Sequence, residues 1–220
     1  MKTAMSRPEE TERLQDLGRA SMQIVHDLKN QLNGLKLYAT FLRRRIEKSE
    51  RPGDEQETIG KLIHGLDRAA DDLSTIVKYG QPVELKKQPG VELDKVLRGV
   101  CATSNEGGAR IVLDSTLSPV QAELDLFKLT DAFKWLCAGA MKHKQNQEEG
   151  GEIFVTTKSS DGARAVIEWS GLRELDHDPF RSFAGSDEIK LALAAKIIEA
   201  HGGSAKFTDK KFVVELPLSG

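Results

Sequence analysis

Ser21-Met22-Gln23-Ile24-Val25-His26-Asp27-Leu28-Lys29-Asn30-Gln31-Leu32-Asn33 is the stretch whose reading decides the fold. Leu14, Leu17, Ile24, Leu28, Leu35 and Leu42 recur at heptad spacing, interrupted by Ser21, Gln31 and Arg45. Val25, Leu32, Ala39 and Ile46 widen that seam into the broad apolar stripe of a helix in a bundle. His26 lies off the stripe. Steps of four and three residues put His26, Asn30 and Asn33 on the opposite face, so the imidazole is directed at water or at a partner. A helical histidine alone is ordinarily a solvated side chain. Here a carboxylate one residue on and an amide four residues on supply groups that can orient and assist it.

Outward from this stretch, the helical pattern runs from about Glu10 to Glu47 and stops at Ser49-Glu50-Arg51-Pro52-Gly53. A second stripe follows between Asp54 and Tyr79, made by Ile59, Leu62, Ile63, Leu66, Ala69, Ala70, Leu73, Ile76 and Val77. The short break favours an antiparallel helical hairpin. Two helices cannot cover both stripes, so the expectation is a homodimer in which two hairpins form a four-helix bundle. A coiled-coil rod is the alternative, against which Pro52-Gly53 argues.

Beyond Gly80-Gln81-Pro82 the pattern becomes mixed. Val91 to Ser104 reads as a helix, Arg110 to Asp114 as a strand, Leu124 to Lys144 as an amphipathic helix, and Gly151–Lys158 with Ala163–Ser170 as a hairpin turning at Ser160-Asp161-Gly162. Asp187 to Ala200 reads as a helix ended by Gly202-Gly203, and Ser204–Phe207 with Phe212–Leu216 as a closing strand pair. The expected class is α+β: the hairpin over residues 1–80, then a two-layer α/β sandwich over 81–220.

Composition narrows the function classes. Charged residues make up 30% of the 220 positions with a net charge of −2, which gives no one-sided basic excess for nucleic acid. No stretch has the apolar length of a membrane span, Met1 to Asp16 lacks a signal-peptide core, and the reading is cytoplasmic. Cys101 and Cys137, distant in sequence among apolar helix formers, read as reduced, buried thiols.

The run His26-Asp27-Leu28-Lys29-Asn30-Gln31-Leu32 resembles the H-box of sensor histidine kinases. In that resemblance His26 is the phosphoacceptor, Asp27 orients it and Asn30 assists phosphatase chemistry. The order of elements after Pro89 resembles the ATP-binding domain of the same kinases, most clearly in Glu199-Ala200-His201-Gly202-Gly203 and Phe212-Val213-Val214-Glu215-Leu216-Pro217. The scaffold matches and the chemistry departs. Where such kinases have Asn-Ala-x-Lys-His, with the asparagine helping to hold magnesium, this chain has Gly139-Ala140-Met141-Lys142-His143. The adenine-recognising aspartate is replaced by Trp169, which cannot accept adenine's amino hydrogen. Glu188 and Lys190 stand where phosphate-approaching glycines are expected, and Asp187 with Glu188 puts negative charge at a helix start.

Together these departures imply a scaffold without ATP binding or autophosphorylation. The chain then resembles dimeric histidine phosphotransferases, which pass a phosphoryl group between aspartates of receiver domains in response regulators or hybrid kinases. No cofactor is expected on this chain, and magnesium comes with the receiver. Two alternatives stay open: a divergent ATP-dependent histidine kinase core, and a non-catalytic pseudokinase that regulates a kinase. Asn33, Leu37 and Phe41 continue the His26 face and form the expected receiver-docking surface, with Phe41 equally readable as core. Arg43-Arg44-Arg45 lies about 25 Å along the helix and reads as a solvated basic face. His64 lacks a flanking acid and amide, and His177 reads as a surface loop residue.

Overall fold

The computed structural model describes residues 7–47, 53–104, 110–115, 121–145, 152–160, 163–183 and 186–218. The turn at Asp161-Gly162 and the break at Ser49–Pro52 lie outside these. The chain divides into two compact units, Met1–Gln81 and Pro82–Gly220.

The first unit consists of α1 (Arg7–Glu47) and α2 (Gly53–Gly80). Gly80 lies against Met22, Lys36 Nζ is 2.5 Å from Asp67 Oδ1, and Ile46 shares a groove with Glu55, Thr58 and Ile59. Partners on α2 descend as those on α1 ascend, so the helices lie side by side in opposite senses. Gly80 allows the approach, because a Cβ there would run into the Met22 sulfur.

The half-buried Val25, Leu32 and Ile46 and the buried Ala39 share the side of α1 nearest α2. Leu28, Leu35 and Leu42, expected at the centre of the seam, are 44%, 54% and 51% exposed. An antiparallel pair uses one face of each helix, and the contact is centred on the flanking series. Leu28, Leu35 and Leu42, joined by Tyr38, are left as an open apolar edge, and Leu62 of α2 is also exposed.

The second unit contains β1 (Gln88–Glu92), α3 (Leu93–Ser104), β2 (Arg110–Ser115), β3 (Gln121–Leu124), α4 (Leu126–Lys142), β4 (Glu152–Ser160), β5 (Arg164–Ser170), α5 (Ser186–Ala200), β6 (Ser204–Thr208) and β7 (Lys211–Pro217). β2-β4-β5-β7-β6 is a five-stranded sheet, antiparallel except for the parallel pair β2–β4, and β1 with β3 is a separate antiparallel pair. Alternation sorts the side chains. Ile153, Val155, Ala165, Ile167, Trp169, Phe212, Val214 and Leu216 are buried in a core shared with α3, α4 and α5, whereas Glu168 on the outer side of β5 joins Lys158 and Lys211 at 2.7 and 3.1 Å.

Two strands, β1 and β3, were not anticipated. They take residues read as helix start or linker, so α3 begins at Leu93 and α4 at Leu126. Asp125 caps α4, its carboxylate accepting the Lys128 and Lys86 amides at 3.0 and 2.8 Å. Gly202 at φ +82 closes α5, its N–H reaching Glu199 O at 2.9 Å. Among the described residues no helix is long and apolar enough to cross a membrane.

Candidate functional site

His26 stands on α1 with 58% of its side chain exposed. One helical turn brings Asn30 Nδ2 to 3.4 Å from His26 Nδ1, and the adjacent Asp27 places Oδ1 3.5 Å from the same nitrogen. The two contacts belong to different tautomers: the Asn30 amide, which can only donate, pairs with Nδ1 as an acceptor, whereas the Asp27 carboxylate accepts from Nδ1 when the ring proton sits there. In the tautomer whose Nδ1 proton faces Asp27, Nε2 carries the free lone pair and is the nitrogen suited to attack an electrophile. Asn33 is exposed below it, and Leu37 and Phe41 are 54% and 53% exposed. Phe41 is therefore not core within the chain. Nothing approaches the Cβ position of Gly34 between them, so this face of α1 is open.

The departures noted in the second unit have a common structural form. Gly139 is buried on α4, and a Cβ there would lie 2.7 Å from Leu191 Cδ2 of α5, so Leu191 fills the space an asparagine side chain would enter. Trp169 is wholly buried, its ring centroid 6.1 Å from that of Phe133 and its N–H donating to Cys137 Sγ at 3.4 Å. Contact with the Cys101 thiol, together with burial, raises the Cys137 thiol well above its ordinary range. Both cysteines are free and buried, and a thiol so raised stays protonated and inert. Lys142 Nζ pairs with Asp187 Oδ2 at 3.0 Å, tying the end of α4 to the start of α5.

Glu188 turns inward from the first turn of α5. It accepts a hydrogen bond from Ser182 Oγ and lies 3.4 Å from His177 Nε2. Lys190 is half-buried. Position 139 thus offers no side-chain oxygen and its space is taken by Leu191, while Trp169 belongs to the core. Among the described residues no group of three or more His, Cys, Asp or Glu side chains could hold a metal ion.

Two buried histidines complete the local chemistry. His201 Nδ1 donates to Ile197 O at 2.8 Å, which leaves Nε2 to accept the Asp125 amide at 3.1 Å. It thereby ties the end of α5 to the cap of α4. His143, 3% exposed, has neither ring nitrogen hydrogen-bonded. Burial pushes His143 below its ordinary value, and the charges of Arg173 and Lys142 add to the effect. Burial also lowers His201, more than its bond to Ile197 raises it. The segment from Leu172 to Phe183, and its link through His177 and Ser182 to Glu188, was not visible in the sequence: no periodicity marks it, and its anchors at His143 and Phe212 are distant along the chain.

No family model matches the chain. It is similar to sensor histidine kinase ZraS of Salmonella typhi, 25% identical over 210 residues covering 89% of this chain and 43% of that protein. ZraS of Escherichia coli strain K12 is 25% identical over 227 residues, covering 94% and 47%. The chain spans about half the length of the curated relatives it matches. Among solved structures, full-length ShkA in complex with AMPPNP superposes with a TM-score of 0.67 at 20% identity, covering 90% of this chain and 45% of that one. Histidine kinase ThkA in complex with response regulator protein TrrA gives 0.63 at 20%, covering 95% and 64%. Acinetobacter baumannii histidine kinase AdeS gives 0.57 at 17%, covering 89% and 98%. The likeness to these solved structures shows the fold, helices plus a mixed sheet similar to those of the histidine kinases named.

Proposed function

We propose that this chain is a histidine phosphotransferase of a two-component phosphorelay, passing a phosphoryl group between receiver aspartates through His26. The observation that carries this reading over an ATP-dependent one is Leu191 filling the space over Gly139, with Trp169 drawn into the core. Residues 1–80 serve dimerisation and phosphotransfer, and 81–220 form a degenerate ATPase-like domain. The open edge of Leu28, Leu35, Tyr38 and Leu42 supports a symmetric four-helix bundle, since leaving such half-exposed leucines in water forgoes about 0.7–1.5 kcal/mol each.

In the reaction, the His26 Nε2 lone pair attacks phosphorus of an aspartyl phosphate. The P–N bond forms as the P–O bond breaks, the aspartate leaves as carboxylate, and the Nδ1 proton stays on the ring, facing Asp27. The reverse sequence delivers the group to a second receiver. Charge neutralisation on the transferring oxygens would be supplied by magnesium held by the receiver. Asn33, Leu37 and Phe41 form the docking face, and the existence of a kinase solved with a response regulator supports a receiver as its occupant. Asn30 is also placed to orient a water for hydrolysis of a receiver's phosphoaspartate.

A second reading, an ATP-dependent histidine kinase core, is favoured by the similarity to proteins named as sensor kinases and to a kinase bound to AMPPNP. One experiment separates the two: the purified chain is incubated with radiolabelled ATP and, in parallel, with phosphorylated receivers. Label on His26 from receivers alone is the expected outcome. Label from ATP replaces the transfer reading with the kinase reading.

A further inference from the structure

The segment from Leu172 to Phe183 crosses from the end of β5 to the start of α5 and is held at both ends by the protein itself. At its start, Arg173 N donates to His143 O at 2.8 Å, Leu172 bridges to Lys144, and Gln145 N reaches Gly171 O at 2.8 Å. Toward its end, Phe180 is buried against Phe212 with ring centroids 5.2 Å apart. Asp178 folds the intervening turn, accepting Phe180 N at 3.0 Å on its carboxylate and Arg181 N at 3.1 Å on its carbonyl. Between these anchors two side chains, His177 and Ser182, converge on one carboxylate, that of Glu188.

Glu188 is buried in the first turn of α5, three residues before Leu191, whose side chain occupies the space over Gly139. A buried carboxylate is held by charge-assisted hydrogen bonds, which are stronger than neutral ones and leave a large desolvation cost if a partner is removed. The same side chain thus stands at the junction of three parts: the segment 172–183, the helix start, and, through its neighbour Asp187 and Lys142, the end of α4.

We propose that Glu188 is a built-in latch that fastens the 172–183 strap to α5, so that the strap is closed by a group of the protein rather than by a bound ligand. The latch stands on the geometry of the second unit alone and does not depend on the phosphotransfer reading. Its consequence is that the strap stays shut in the free protein and that the residues covered beneath it, including His143, stay out of water.

Hydrogen exchange read by mass spectrometry on the full chain tests this, with no ligand added. In Glu188→Ala the strap amides should exchange roughly tenfold faster or more, while β4, β5, β7 and the two long helices keep wild-type rates. Glu188→Gln keeps an acceptor for Ser182 and should fall between. Wild-type strap rates in Glu188→Ala would overturn the latch. So would equal acceleration across the whole second unit, which would make Glu188 a general contributor to stability. If Glu188→Ala does not fold, Ser182→Ala decides: faster exchange confined to the strap supports the latch, and unchanged exchange refutes it.

Discussion

Lowering the pH from 7.5 to 5.5 should destabilise the second unit by up to about 2.8 kcal/mol, through the two buried histidines. His201 must be neutral as built: its Nδ1 proton is committed to Ile197 O, and a second proton on Nε2 would face the Asp125 N–H that Nε2 now accepts. His143 is neutral for another reason, having no acceptor for either nitrogen in its buried position. Both imidazoles titrate below their ordinary 6.5 in the folded chain, so the unfolded chain binds more protons in acid. Their contribution is complete above 6.5 and is lost as pH falls from there through the folded values. One unit below 6.5, each costs at most about 1.4 kcal/mol. The depressed carboxylates of Asp94, Asp125 and Glu168 start from ordinary values of 3.8, 3.8 and 4.5, so their losses come at lower pH. Urea unfolding followed by tryptophan fluorescence is the assay, because the chain's 2 tryptophans, Trp135 and Trp169, both lie in the second unit. His143→Leu should remove about half of the pH dependence and leave stability at pH 7.5 equal or higher, since an unpartnered buried polar group costs about 1–3 kcal/mol. Stability that is flat or rises between pH 7.5 and 5.5 would refute the assignment of neutral, buried imidazoles.

Three further outcomes are expected. His26→Gln should abolish phosphoryl acceptance from a phosphorylated receiver while the circular dichroism spectrum and oligomer mass stay as in wild type; transfer at the wild-type rate would remove His26 from the mechanism. In the proposed symmetric bundle, Leu35→Glu with Leu42→Glu should weaken dimerisation by roughly a hundredfold or more, measured by light scattering across a dilution series, because each lost leucine contact would occur twice; an unchanged mass would overturn association through this edge. Gly139→Asn should lower stability by about 1–3 kcal/mol in thermal unfolding, because its side chain meets Leu191, and should not create nucleotide binding by calorimetry.

The long elements were legible because their pattern is carried by their own residues. Helices were expected from about 10 to 47 and 54 to 79, and they span Arg7–Glu47 and Gly53–Gly80. The strands around Ile153 and Ile167 announced themselves by alternation. β1 and β3 did not: Gln88-Pro89-Gly90-Val91-Glu92 brings one buried apolar residue, and Gln121-Ala122-Glu123-Leu124 alternates over too few residues to stand apart from the helix it precedes, so both become strands by pairing with one another. On α1 the periodicity gave the broad stripe but not which edge of it meets α2, a choice fixed by the second helix. The environments of Glu188 and His177 were hidden for the same reason. A first-turn acid and a loop histidine look ordinary until the fold places them 3.4 Å apart.

The order of the large sheet bears on how the protein is made. β7 lies between β5 and β6, and β5 between β4 and β7, so the centre of the sheet is assembled from strands on either side of α5. As the chain leaves the ribosome, β5 has only β4 beside it until residues 211–217 emerge, and the core side chains Ala165, Ile167 and Trp169 wait uncovered on one flank. The second unit therefore folds after its last strand is synthesised, whereas α1 and α2 can pair much earlier. A nascent chain stalled before Phe212 should expose a hydrophobic half-sheet, the kind of surface that recruits chaperones or proteases.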